Sequence, residues 1–67
     1  MNLKNAGLKI TEVARGNNRE VAIGLLGDTP VLVAKTPRGE GYTAYPTLIA
    51  AGRAFDYIVE NANLAVL

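Results

Sequence analysis

Three clusters of turn-forming residues cut the first 45 positions into short β-rich runs, and that punctuation predicts an antiparallel meander. Gly16-Asn17-Asn18-Arg19 places two asparagines side by side. Asparagine tolerates the positive φ that the centre of a two-residue hairpin loop requires. Gly27-Asp28-Thr29-Pro30 is the second cluster, and Thr36-Pro37-Arg38-Gly39, with Pro second and Gly fourth, has the pattern of a type I turn. Between them, residues 8–15 alternate apolar and polar for most of their length, 20–26 form a second run, and Val31 to Thr36 is a third of nearly unbroken β-formers. Gly41 to Tyr45 is a short fourth candidate, ended by Pro46.

Beyond Pro46 the period changes. Leu48, Ala51, Gly52, Phe55, Ile58, Val59 and Ala62 recur at three- and four-residue spacing, while Arg53, Asp56, Glu60 and Asn61 fall largely elsewhere. That spacing predicts an amphipathic helix over 48–62, with Thr47 as its N-cap and one face against the sheet. Gly52 costs about 1 kcal/mol relative to Ala in a helix, so it is read as a point of close approach between helix and sheet. Asn63 to Leu67 is apolar and receives no element. The expected class is therefore α+β: an antiparallel meander of three to four strands with one C-terminal helix packed on one face, residues 1–67 forming a single small domain.

A chain of 67 residues buries only about 60% of the surface its unfolded form exposes. The usual reinforcements are absent, since there is no Cys for a disulfide and no His for a common zinc site. Packing or self-association must supply the stability instead. The apolar stretch around 25–34 is broken by Gly27, Asp28 and Pro30, well short of the ~20 residues that cross a bilayer, and residues 1–7 lack the core of a signal peptide. These features set the expectation of a cytoplasmic location with no membrane contact.

A two-residue loop at Asn17-Asn18 pairs Ala14 with Val21, Arg15 with Glu20 and Ile10 with Leu25. Val21, Ile23, Leu25, Leu32 and Ala34 then share one bulky face suited to the helix. Glu12 falls there too, a contradiction that a β-bulge or an edge position would relieve. The opposite face carries Val13, Ala22, Gly24, Leu26, Val31 and Val33 at its centre, with Lys9, Arg15, Glu20 and Lys35 around the margin. A one-layer sheet with a solvated outer face should alternate apolar and polar, whereas these central strands are apolar on both sides. An apolar centre inside a charged rim is the anatomy of an interface. The plain alternative is that the apolar tail folds back over this face.

Conventional catalytic constellations fail on residue types. Nucleophilic catalysis needs an activated Ser, Cys, Thr or Lys beside a base, and the chain has no Ser, Cys or His. The carboxylates fall in turns or beside ion-pair partners. Asp56 and Glu60 lie one helical turn apart, too few ligands for a metal. Gly39-Glu40-Gly41 lacks the lysine and helix of a phosphate loop, and Gly24 to Gly27 lacks the third glycine of a dinucleotide fingerprint.

The expectation is a non-enzymatic protein-protein interaction module with no cofactor and no metal. It would form a homo-oligomer, most simply a homodimer, and act as an inhibitor, adaptor or accessory protein of a larger partner, in the style of small phage or mobile-element accessory proteins. The candidate interface is Val13, Ala22, Gly24, Leu26, Val31, Val33, Arg15 and Lys35, with Tyr42 and Tyr45 as aromatic anchors. A DNA or RNA binder is the alternative, through Lys9, Arg15, Lys35 and Arg38, but a net charge of +1 supplies little steering field. A small-molecule pocket at Tyr42, Tyr45 and the glycine-rich turn is the second alternative.

Overall fold

A computed structural model describes residues 7–67. Strands β1 (Leu8–Gly16), β2 (Arg19–Leu26), β3 (Thr29–Thr36) and β4 (Gly39–Ala44) precede helix α1 (Leu48–Asn61) and a short strand β5 (Ala65–Val66). They form one antiparallel sheet in the order β4-β3-β2-β1-β5, which is the expected meander with a strand added at one edge.

Local turn chemistry sets the register. Gly16 pairs with Arg19, and Asn17 and Asn18 both take positive φ (50° and 61°), the type I′ geometry whose twist matches the flanking strands. Leu26 pairs with Thr29 across Gly27-Asp28, where Gly27 alone has positive φ (63°), the type II′ pattern. This tight closure draws Thr29 and Pro30 into β3, two residues ahead of the expected start. Proline is tolerated there near a strand end, and its carbonyl accepts a 2.9 Å hydrogen bond from Tyr45 N. Pro37-Arg38 closes the third hairpin, with Thr36 Oγ1 accepting from Arg38 N at 3.2 Å and donating to Gly39 O at 3.3 Å.

Helix α1 opens where the capping residue predicts. Thr47 is extended (φ −141°, ψ 158°) and its Oγ1 accepts from Ala50 N at 3.1 Å. Ala51 and Phe55 are buried against Ala14, Val21, Ile23, Leu32 and Leu64, with Tyr45, Ile58, Val59 and Ala62 packed around them. Two expectations on this helix fail. Leu48, assigned to the packing stripe, is 53% exposed. A Cβ on Gly52 would meet nothing within 4 Å, so this glycine does not serve close approach to the sheet.

The tail is ordered by the helix end. Asn63 takes positive φ (54°), its N donates to Glu60 O at 3.4 Å, and Leu64 N donates to Val59 O at 3.0 Å. This is a Schellman motif with asparagine in the left-handed position. It buries Leu64 in the core and turns the chain so that Val66 pairs with Ala14 and Ala65 with Arg15. Leu67 N donates to Val13 O at 2.9 Å, and Asn17 Nδ2 donates to Ala62 O at 2.9 Å, tying the first hairpin to the helix end. The tail thus extends the sheet sideways and does not fold over the second face. Among the described residues, no helix is long and apolar enough to cross a membrane.

Candidate functional site

The second face is shaped by a β-bulge in β1. Glu12 pairs with Ile23 and Ile10 with Gly24, leaving Thr11 as the extra residue, its Oγ1 donating to Ile23 O at 3.0 Å. The bulge corrects the expected pairing of Ile10 with Leu25 but leaves Glu12 opposite Ile23 on the helix side, where it is exposed on an edge that β5 pairs only at Ala14 and Arg15. N-terminal to Thr11 every side chain changes face. Leu8 and Ile10 join the second face, while Lys9, opposite Leu25, moves to the helix side.

Gly24 is what permits this. A Cβ there would lie 2.3 Å from Lys9 O and 3.0 Å from Ile10 Cα, closer than real side chains come, so only glycine lets the bulged backbone pass. The same approach closes β1 over Gly24, which is buried. Its cross-strand neighbour Val31 is 1% exposed and lies outside the helix-side cluster. Those two candidates line the closed end of the face.

The rest of the face is ordered in cross-strand rows. Arg15 pairs with Glu20, Glu20 with Lys35, and Lys35 with Glu40, a row of four charges alternating in sign from β1 to β4. Arg15 Nε donates to Glu20 Oε1. Both groups are open enough to water that the pair contributes about 0–1 kcal/mol. The next row is Val13, Ala22, Val33 and Tyr42. Ala22 is 7% exposed, sitting low between two valines, while Val13 and Val33 are half-buried and Tyr42 is 52% exposed. Ile10, 41% exposed, and half-buried Leu8 and Leu26 continue the apolar surface. No described helix or strand lies over these rows, since α1 packs on the other side against β2 and β3. An open groove of about 430 Å³ at the charged end is lined by Arg15, Arg19, Glu20 and Lys35 with the turn residues Asn18 and Pro37.

The structure therefore brings together Val13, Ala22, Val33, Arg15, Lys35, Tyr42 and, at the far end, Leu26. It separates Tyr45, which packs against the helix-side core. The two tyrosines thus lie on opposite sides and do not converge on one pocket. The basic set is also divided: Lys9 stands on the helix side, Arg15 and Lys35 on the second face, and Arg38 in the β3–β4 turn. Sequence reasoning missed Leu8, Ile10 and Glu40 as members of the face. The signal for the first two was Gly24, a lone glycine inside an apolar strand, which marks a bulge or a close backbone approach. Among the described residues, no three acidic side chains gather as a metal site would need. Comparison with protein-family models, curated proteins and solved structures finds no match.

Proposed function

We propose that this chain is a non-enzymatic protein-protein interaction module that docks through the second face of its sheet, with a second copy of itself as the occupant, and that the dimer serves as an adaptor or inhibitor of a larger partner. The observation that carries this reading is the pair of adjacent rows on that face, four alternating charges beside Val13, Ala22, Val33 and Tyr42. Apolar centre and charged margin match interface anatomy, and the tail that offered an internal cover sits at the sheet edge. The absence of Ser, Cys and His supports a role without nucleophilic chemistry. The division of the basic residues between two sides weighs against nucleic acid, which needs its cations along one surface.

The size of the face sets the expected strength. Four strands about 4.8 Å apart and roughly seven residues at about 3.3 Å each give a footprint of roughly 400 Å² per copy. That lies below the ~800 Å² per partner of a standard stable interface, so association in the micromolar range is expected. Sedimentation equilibrium from about 1 μM to 1 mM tests it, with the parent moving from monomer to dimer across that range. Val33→Glu places a charge in the middle of the apolar row and should give a folded monomer, checked by circular dichroism. A parent that stays monomeric to 1 mM refutes the reading.

A further inference from the structure

We infer that two copies stack second face to second face about a two-fold axis that runs parallel to the strands and lies between β2 and β3. This rests on the self-association proposed above and adds its geometry. A two-fold interface uses the same patch on both copies, so the patch must complement itself after the rotation.

Rotation about an axis parallel to the strands keeps every cross-strand row at its own height and turns it end for end. β1 of one copy then faces β4 of the other, and β2 faces β3. From β1 to β4 the charged row reads Arg15, Glu20, Lys35, Glu40, which is plus, minus, plus, minus. Turned end for end it presents the opposite sign at all four places: Arg15 meets the partner's Glu40, and Glu20 meets the partner's Lys35. A row of plus, minus, minus, plus would set like against like. The adjacent row obeys the same rule in size, with small Ala22 beneath the partner's Val33 and Val13 beneath the partner's Tyr42.

The other in-plane axis fails on the same residues. An axis perpendicular to the strands sets Arg15 on the partner's Arg15 if it passes through the charged row. Passed through the apolar row, it lays the four charges over the row of Ile10 and Ala44, where their desolvation is uncompensated. Packed sheets keep their strand directions within about 30°, which the parallel axis satisfies and which leaves Glu20 and Lys35, nearest the axis, the best aligned.

Arg15 and Glu40 sit on opposite edge positions of the row and are not neighbours within one copy, so exchanging their charges reads the contact between copies. Arg15→Glu alone places carboxylates at both ends of the row and Glu40→Arg alone places guanidiniums there. Each variant by itself should weaken self-association at least tenfold at low salt, where surface charges are least screened. Mixed in equal amounts they should form a heterodimer at least as tight as the parent, resolved by native mass spectrometry. The single chain carrying both substitutions should recover homodimerisation. Both sites are solvent-exposed, and circular dichroism confirms folding of each variant. A mixture no more associated than its separate components, from a parent that dimerises and that Val33→Glu dissociates, overturns the axis and leaves the face as the interface. A parent monomeric throughout overturns both.

Discussion

Replacing Gly24 with alanine adds one methyl group and is expected to come close to unfolding the protein. The added Cβ would lie 2.3 Å from Lys9 O, and real Cβ atoms essentially never come within 3.0 Å of such an atom. The β1 and β2 backbones must therefore part by at least the difference, about 0.7 Å. Ladder hydrogen bonds near 2.9 Å stretch past useful geometry with such a shift. Loss of one or two of them costs about 1 kcal/mol each, and the strain of an overfilled site adds about 1–3 kcal/mol. A total of about 2–5 kcal/mol is comparable to the ~3–5 kcal/mol that a core of this size supplies. At roughly 4–8 °C per kcal/mol, the melting temperature should fall by about 10–40 °C. Gly41→Ala is the control with the opposite sign. Its Cβ meets nothing within 4 Å and its φ lies outside the left-handed region, so stiffening the unfolded chain should stabilise by about 0.4–1 kcal/mol. Thermal unfolding followed by circular dichroism, both variants and parent at one concentration, makes the comparison. A Gly24→Ala protein as stable as the parent would refute the reasoning and mean that the bulge does not press on β2 as described.

Two further substitutions probe the helix side. Thr47→Ala removes the acceptor for Ala50 N and should cost about 1 kcal/mol in urea unfolding with no change in the slope of the transition; an unchanged midpoint would mean that water caps the helix equally well. Phe55→Ala, at a position 2% exposed, should cost about 3–5 kcal/mol and leave a largely unfolded chain by near-ultraviolet circular dichroism; a native-like spectrum would mean that the core collapses to fill the space.

The elements legible in the sequence were those set by neighbours in the chain. Asn17-Asn18, Gly27-Asp28 and Pro37-Arg38 announce their hairpins because the backbone conformations of these turns are properties of the residues themselves, and Thr47 announces the helix for the same reason. The bulge at Thr11 was not legible as such, because a bulge depends on how two strands meet and no single residue encodes it. Its trace was a lone glycine, Gly24, inside an apolar strand. Strand β5 has no sequence signature of its own because a two-residue pairing has no periodicity, although Asn63 just after the helix is a stop signal. For the candidate face, alternation placed Val13, Ala22 and Val33 on the same side as the structure does. Lys9 was misassigned because one inserted residue reverses the parity of everything before it.

The pairing of β5 with β1 also has a consequence for how the protein is made. The three hairpins join near neighbours and close in about 1–10 μs, far faster than residues are added at about 5–20 per second. The outer edge of β1, by contrast, waits for partners at positions 65 and 66. Once Ala14 has emerged from the ribosome, some 50 further residues must follow, a delay of several seconds at those rates. As β2, β3 and β4 emerge and pair in turn, the growing meander presents the open edge of β1 to its surroundings, where another strand can pair with it. Ribosomal pausing between β1 and β5 would lengthen that exposure, and the arrival of Ala65 and Val66 beside β1 ends it.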